Sequence, residues 1–192
     1  MASRAYQQWT SERAAKLDEI EASHAAFGGA ARGRRFTTLQ SNQSYAVTLT
    51  AQFQGFCRDL HDECADHFVL ALSPEALRTT IRRLLQQGRK LDSGNPNPGN
   101  LVSDFGKFGI DFWREVKARH KRAQTWHARL GMLTAWRNAI AHQDFTPEKL
   151  HGIDTLTLAH VKQWRKACRG LARVFDDVMR EHLQTATGTA PW

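Results

Sequence analysis

Apolar residues recur along this chain at intervals of three and four, whereas the alternating pattern of a half-buried strand is almost absent. The first spacing places apolar side chains on one face of an α-helix, so the chain is predicted to be all-α. We expect a single helical bundle of about five to six helices. The predicted helices cover residues 3–25, 44–72, 74–91, 100–119, 121–143 and 156–184.

The helix predicted at residues 44–72 has one continuous apolar face and is long enough to form the spine of the bundle. In the third helix, the apolar side chains are expected to point inward and the arginines to lie nearer solvent. The inward set is Leu77, Ile81, Leu84 and Leu85, and the outer set is Arg78, Arg82 and Arg83.

The last predicted helix has a basic face opposite its apolar one. Such a basic stripe is ordinarily a solvated face, and the alternative is a surface that follows an RNA backbone. The candidate RNA-binding residues on this stripe are Lys162, Arg165, Lys166 and Arg169.

Turn-forming residues divide the chain into three regions. Residues 1–43 are predicted to form an N-terminal helix followed by a basic, glycine-containing loop at 27–43, where Arg32, Arg34 and Arg35 lie. Residues 44–184 form the bundle, interrupted by a loop at 92–100 that is dense in asparagine, proline and glycine. Residues 185–192 are predicted to be a disordered tail.

Composition restricts the function. A chain of 192 residues fits one domain, and its formal net charge of +8 favours attraction to polyanions such as nucleic acid. The three cysteines, an odd number without CxxC spacing, and an N-terminus without an apolar signal core indicate a cytoplasmic protein. No apolar run approaches the roughly 18 residues needed to cross a membrane.

Motifs for cofactor-dependent chemistry are lacking. The sequence contains neither GxxxxGK nor HExxH, so no cofactor is expected. Cys57, His61 and Cys64 lie on one side of the second helix and a metal site can be drawn there. Structural zinc needs a fourth ligand, however, and two of these positions belong to the apolar face, so no metal site is predicted.

The segment around residues 135–144 combines three side chains that can together bind and cleave a phosphodiester. Arg137 offers a permanently charged, forked donor for phosphate oxygens. His142 can move a proton near neutral pH. Asn138 can orient a hydroxyl group or hold the imidazole. These three residues are the candidate catalytic residues.

Arg137 falls inside the apolar arc of its helix on a helical wheel, next to Trp136 and Ile140. Burying an unmatched charge costs several kcal/mol, so this guanidinium needs a carboxylate or a phosphate. Acidic residues on the preceding helix can pair with it, and in doing so can orient it for phosphate. The candidates are Asp104, Asp111 and Glu115.

His142 stands five positions after Arg137, roughly 140° around and about 7.5 Å along a regular helix. One straight helix therefore does not aim both side chains at the same phosphate. Either the helix frays near Ala141, or a second copy of the chain completes the site. Asn138 and His142 are four apart, so they share a face and can bond to each other.

These residues resemble the HEPN superfamily, whose helical bundles carry an Arg-x-x-x-x-His motif, commonly with a polar residue after the arginine. Arg137, Asn138 and His142 match that motif. The upstream segment resembles the first core helix of HEPN proteins of the RiboL-PSP type; it reads QFQGFCRDLHDECADHF. The resemblance covers about residues 44–183, and residues 1–43 have no counterpart in it.

The resemblance implies a metal-independent endoribonuclease with a composite site between two HEPN domains, often a toxin or an abortive-infection effector. Its partners would be RNA, a second copy of the chain and an antitoxin or other defence protein. HEPN toxins whose tyrosine is modified by a nucleotidyltransferase carry that tyrosine two residues after the histidine. Asp144 occupies that position, so this control is not expected, and Asp144 is instead a candidate supporting residue with Asp111 and Glu115.

The expected reaction is attack of an RNA 2′-hydroxyl on the adjacent phosphorus, with His142 as general base or acid and Arg137 stabilising the phosphoryl charge. Three alternatives compete with this prediction. The chain can be a catalytically silent HEPN domain that binds RNA or a nucleotide, a helical DNA-binding regulator, or a purely structural bundle. The DNA-binding alternative lacks a recognisable helix-turn-helix pair.

Overall fold

The computed structural model describes the backbone of residues 1–27 and 35–192, and the side chains outside residues 24–36. Within these ranges every regular secondary-structure element is helical, which confirms the all-α prediction, although the described helices outnumber the five to six expected. The α-helices are α1 (Arg4–Gln8), α2 (Ala14–Phe27), α3 (Arg35–Leu70), α4 (Glu75–Gln86), α5 (Lys90–Ser93), α6 (Pro98–Phe105), α7 (Phe112–Arg119), α8 (Ala123–His142) and α9 (Leu158–Thr187). None of the described helices is long and apolar enough to cross a lipid bilayer.

The N-terminal helix is continuous but not uniformly α-helical, because a π-helical turn (Trp9–Arg13) joins α1 to α2. The Ser3 hydroxyl caps α1 by accepting a hydrogen bond from the Tyr6 amide. The carboxylate of Glu63 on α3 accepts hydrogen bonds from the amides of Arg4 and Ala5 at 3.0 and 2.6 Å. These contacts attach the first helix to the bundle.

The long helix α3 begins at Arg35, so the prediction that residues 35–43 belong to a loop is wrong. Polar residues in this segment make tertiary contacts that compensate for its low apolar content, since the buried Asn42 amide donates to the Leu156 carbonyl at 2.9 Å. Arg32 and Arg34 lie outside the described residues. The apolar face predicted for this helix is confirmed; its fully buried members are Leu49, Phe53, Phe56, Leu60 and Cys64.

Helix α4 matches the prediction only in part, since Leu85 is buried and Ile81 packs against the core as expected, but two leucines face solvent. Leu77 and Leu84 are 46% and 55% exposed, whereas Arg78 and Arg82 are only partly exposed. Arg82 donates to the Asp66 carboxylate at 2.5 Å and Arg78 donates to the Leu72 carbonyl at 3.1 Å. The arginines therefore fix the helix to the end of α3, and specific hydrogen bonds override the apolar periodicity.

The predicted fourth helix, 100–119, is divided into α6 and α7 by a 3-10 turn (Gly106–Phe108) and by Gly109, whose φ is +78°. A positive φ is readily adopted by glycine, and it ends the helix here. The break allows the rings of Phe105 and Phe112 to stack at a centroid distance of 4.5 Å. The two short helices thus fold back onto one aromatic core.

Helices α8 and α9 pack closely because Gly170 leaves room for an indole. A Cβ atom at Gly170 would lie 2.6 Å from the ring of Trp126. Thr157 and His160 form a reciprocal cap at the start of α9. This helix continues to Thr187, so the predicted disordered tail begins inside it, and the indole of Trp192 packs against the core.

Candidate functional site

The candidate catalytic residues lie at the C-terminal end of α8, which remains a regular helix up to His142. Gln143 ends it in the left-handed conformation, with φ +55°, and its N–H bonds to the Ala139 carbonyl. The Asp144 N–H donates to the same carbonyl at 3.0 Å. The expected fraying near Ala141 is therefore wrong, and Arg137 and His142 point in different directions from one helix.

Asn138 and His142 share a cleft of about 320 Å³, which is also lined by Ala135, Ala139, Asp144 and Lys149. Both side chains are exposed, and Arg137 is partly exposed at the edge of this region. Neighbouring Trp136 is 2% exposed and anchors the helix in the core. The end of α8 thus presents an amide and an imidazole together on its open side.

The carboxylates expected to pair with Arg137 are engaged elsewhere. Asp104 is buried and accepts hydrogen bonds from the amides of Lys90 and Leu91, both at 2.8 Å. Asp111 and Glu115 form ion pairs with Arg114, at 3.8 and 3.0 Å. The predicted orientation of Arg137 by Asp111 or Glu115 is therefore not seen in this structure.

Arg137 instead donates to the amide oxygen of Asn138, its sequence neighbour, at 3.3 Å. Within residues 1–27 and 35–192, Arg137 forms no ion pair with an acidic side chain. Its partial exposure reduces the desolvation cost that buried charges incur. The guanidinium keeps most of its donors available for an anionic ligand.

Asn95 is a further residue of this region that sequence reasoning missed. Its side chain is only 7% exposed, and its Nδ2 donates to the Oδ1 of Asn138 at 2.8 Å. The contact joins the loop between α5 and α6 to α8, 43 positions away in the chain. Its only signal in the sequence was the asparagine-rich segment, which was interpreted as a loop.

Asp144 contacts Thr146 and Lys149 and not His142. Its carboxylate accepts hydrogen bonds from the hydroxyl and amide of Thr146, at 2.5 and 3.3 Å, and forms an ion pair with Lys149. The Lys149 ammonium and the Thr146 hydrogen bonds lower the pKa of Asp144 to about 2. The ionised carboxylate of Asp144 and the ammonium group of Lys149 therefore line the same cleft as the His142 imidazole.

The His142 imidazole makes no hydrogen bond to the part of the chain that the structure describes. The bond between Asn138 and His142 that their spacing allows is absent, although both line the same cleft. An exposed imidazole whose nitrogens are not hydrogen-bonded to described residues can accept a proton or donate one. The imidazole is therefore chemically available, and no described side chain fixes its orientation through a hydrogen bond.

The basic stripe on α9 is partly neutralised by the N-terminal helix. Arg165 donates to Asp18 at 2.6 Å and to Glu21 at 2.8 Å, and Lys162 pairs with Glu21 at 3.2 Å. Lys166 and Arg169 are exposed and form no ion pair with any described side chain. The four line a second cleft, of about 590 Å³, separate from the motif.

Cys57, His61 and Cys64 are completely buried in the core. The Nε2 of His61 lies 3.3 Å from the Asp104 carbonyl, and burial lowers the pKa of His61 to about 4. Among the described residues, no cluster of three or more histidine, cysteine or acidic side chains is arranged to hold a metal ion. These three residues act as core residues of α3.

The comparisons with known proteins identify one family. The model of the RiboL-PSP-HEPN family matches residues 39–181, which is well over half of the chain and includes the candidate site. No curated protein and no solved structure matches the chain significantly.

Proposed function

This chain belongs to the RiboL-PSP-HEPN family, and from that premise we propose that it is a metal-independent endoribonuclease. One observation carries the proposal. The end of α8 presents an amide and an imidazole in one cleft and, at the edge of that cleft, a guanidinium without an acidic partner among the described residues. These are the groups that phosphodiester cleavage needs when a 2′-hydroxyl supplies the nucleophile.

The proposed reaction is an internal transfer within RNA. The 2′-hydroxyl loses its proton to a general base as its oxygen attacks the adjacent phosphorus, and the 5′-oxygen leaves with a proton from a general acid. His142 takes one of these roles, and Arg137 stabilises the charge on the phosphoryl oxygens. The products end in a 2′,3′-cyclic phosphate and a 5′-hydroxyl, so DNA is not cut.

The regular geometry of α8 supports a site completed by a second copy of the chain. Arg137 and His142 diverge by roughly 140° around the helix axis, so one copy does not aim both at a single phosphate. Beside the motif lies a groove of about 570 Å³, lined in part by Val47, Ile140 and Phe145. Val47 and Phe145 are 37% and 39% exposed, and a homodimer that covers this groove would bring two motifs together.

Lys166 and Arg169 are the basic residues of α9 that we assign to the RNA backbone. Both are exposed, and no described carboxylate neutralises them, in contrast to Arg165. Phosphate contacts of this kind give affinity that decreases as salt rises. Arg165 and Lys162 support this surface by fixing the N-terminal helix beside it.

The biological role that we propose is that of a toxin or phage-defence effector restrained by a partner protein. An endoribonuclease of low sequence specificity harms its host unless it is controlled. Expression of the wild-type chain should therefore arrest growth, and expression of His142→Ala should not. Equal growth inhibition by both chains would contradict a toxic role that depends on this site.

The purified chain should cleave total RNA in excess EDTA, and His142→Ala should abolish cleavage without lowering the melting temperature. His151→Asn is a matched control, because His151 is another exposed histidine and asparagine tolerates its left-handed backbone, φ +55°. Cleavage that survives in His142→Ala would overturn the assignment. RNA binding without cleavage by the wild type would favour the catalytically silent alternative.

A further inference from the structure

The amide of Asn95 has a fixed orientation that determines how Asn138 faces the cleft. The Oδ1 of Asn95 accepts a hydrogen bond from the Nδ2 of Asn97 at 3.0 Å. Its Nδ2 is therefore the group that faces Asn138, and it donates to Oδ1 of that residue at 2.8 Å. Reversing the Asn95 amide would bring donor against donor and acceptor against acceptor.

The same reasoning fixes the amide of Asn138. Its Oδ1 accepts from both Asn95 and Arg137, at 2.8 and 3.3 Å. A reversed Asn138 would place its NH2 group against two other donors, which is unfavourable. The Nδ2 of Asn138 is consequently the group that remains for the cleft shared with His142. The asparagine offers the cleft a hydrogen-bond donor.

The loop that carries Asn95 is itself held by several hydrogen bonds. The Asn95 carbonyl accepts from the Nδ2 of Asn100 at 2.7 Å and from the amide of Asn97 at 2.9 Å. Asn97 also caps α6 through the Asn100 amide at 2.8 Å. Trp113 donates its indole N–H to the Pro98 carbonyl at 2.9 Å. These hydrogen bonds hold Asn95 in a fixed position against Asn138.

Gly94 shows how tightly this loop is packed. A Cβ atom at this position would lie 2.7 Å from the Nδ2 of Asn100 and 3.1 Å from the Lys90 carbonyl. A larger residue would push Asn100 away from the Asn95 carbonyl. The loop therefore holds Asn95 within hydrogen-bond distance of α8 with little freedom to move.

We infer that Asn95 is a positioning residue that fixes the Asn138 amide so that its NH2 group faces the substrate phosphate. The inference rests on the proposed function, because it assigns a role within that site. In the reaction, the Nδ2 of Asn138 donates to a phosphoryl oxygen as negative charge accumulates there. Arg137 is held beside it through the shared Oδ1. The expected ligand is therefore an anionic phosphodiester oxygen.

The test is a double-mutant cycle on the full chain, with kcat and KM measured on one fluorescent RNA oligonucleotide. Asn95→Ala removes the support, and Asn95→Asp keeps its size but offers only acceptors, so Asn138 must turn its NH2 group inward. Both variants should lower kcat about 10- to 100-fold, as expected for a misplaced catalytic group, with little change in KM. When Asn95→Ala or Asn95→Asp is added to Asn138→Ala, kcat should not fall further.

Gln54→Ala is the matched control. Gln54 is a partly buried amide that supports the same part of the fold, because it donates to the Leu91 carbonyl on α5 at 2.6 Å, and it makes no hydrogen bond to Asn138. This variant should lose a similar amount of stability and retain wild-type kcat. If Asn95→Ala fails to fold, the isosteric Asn95→Asp carries the test.

Wild-type kcat in a folded Asn95→Asp variant would overturn the inference. The inference would also be overturned if the Asn95 substitutions lowered kcat equally in the wild type and in Asn138→Ala, because Asn95 would then not act through Asn138. Failure of the proposed function would give a different result. In that case His142→Ala would retain activity, whatever the activities of the Asn95 variants.

Discussion

Arg137 is a cation at the edge of the core whose hydrogen-bond partner is an amide. A guanidinium paired with a carboxylate is partly neutralised, whereas one held by the Oδ1 of Asn138 keeps its full charge. The contact orients the side chain without competing strongly with a phosphate. The candidate site therefore combines an orienting amide with a charge that no described carboxylate compensates.

Replacing Arg137 by lysine keeps the charge but loses the planar fork. Because a phosphate is held best by two parallel donors, Arg137→Lys should lower kcat by about 100-fold, the size of effect seen when one charge-stabilising donor is removed. Steady-state cleavage of a short RNA measures this. Arg114→Lys, on an exposed arginine paired with Glu115, is the control and should retain activity. A fully active Arg137→Lys would show that the fork is not needed.

His61 should make folding sensitive to acid. Burial, followed by the charge of Arg89, lowers its pKa to about 4 from an ordinary value of 6.5, so the unfolded chain binds a proton that the folded chain excludes. The free energy of unfolding should therefore fall as pH drops from about 6.5 to about 4, by up to about 1.4 kcal/mol per pH unit.

Urea denaturation of the wild type and of His61→Gln across this pH range measures the contribution of His61. The variant should show a shallower loss of stability, because glutamine does not titrate. Identical slopes for the two proteins would mean that His61 is not neutral in the folded chain.

The residues of the candidate site were predictable only where they are close in sequence. Arg137, Asn138 and His142 lie on one helix, so their spacing in the sequence was enough to propose them. Asn95 joins them through a tertiary contact, and no periodic pattern indicates which amide of an asparagine-rich loop faces a helix. The carboxylates proposed for Arg137 also depend on tertiary contacts, because Asp104 accepts from the amides of Lys90 and Leu91, and Asp111 and Glu115 follow the break at Gly109.

Helix α8 owes its position to its close packing on α9. Gly170 lies against the ring of Trp126, and no larger residue fits without moving the indole. His120 also stacks on this indole, at a centroid distance of 4.4 Å. This packing fixes the position of α8, whose C-terminal end carries the motif.

Gly170→Ala should therefore destabilise the fold in spite of the better helix propensity of alanine. Overpacking against Trp126 should lower the free energy of unfolding by about 1–3 kcal/mol, measured by urea denaturation. Gly131→Ala is the control, because a Cβ atom at Gly131 meets no neighbour within 4 Å. That change should increase stability by up to about 1 kcal/mol. Equal effects at the two positions would refute close packing at Gly170.

Helix type was more predictable than helix boundaries. The long and strongly periodic helix α9 has the expected apolar face. The start of α3 was missed because its first turns are polar and are held by contacts with distant residues, such as that of Asn42 with Leu156. The π-helical turn within the first helix carries no local sequence signal at all.

Two clefts of the molecule are lined by different charged side chains. The N-terminal helix neutralises part of α9 through Asp18 and Glu21, whereas Lys166 and Arg169 form no ion pair with any described side chain. The motif occupies the other cleft. Under the proposed function, Lys166 and Arg169 would serve the attachment of RNA, and the motif would serve its cleavage.

If a second copy completes each site, then two inactive chains should restore activity when mixed. Arg137→Ala supplies His142 and lacks the guanidinium, and His142→Ala has the opposite defect. After denaturation and joint refolding, half of the dimers are mixed and one of their two sites is intact, so activity should return to about a quarter of the wild type. Chains refolded separately and then combined without exchange are the control.

If the jointly refolded mixture stays inactive, the site is not built from the arginine of one copy and the histidine of the other. Dimer formation itself is checked by light scattering on the same sample. A chain that is monomeric and active would remove the need for a second copy.

The chemistry of the cut end shows whether an RNA 2′-hydroxyl is the nucleophile. An RNA oligonucleotide that the wild-type chain cleaves at a known position is prepared again with a single 2′-deoxy sugar there, and both are incubated in excess EDTA. We expect mass spectrometry to find a 2′,3′-cyclic phosphate and a 5′-hydroxyl after cleavage of the unmodified RNA, and no cut at the 2′-deoxy position of the modified RNA. Cleavage at the 2′-deoxy position, or a 5′-phosphate product, would contradict attack by the 2′-hydroxyl.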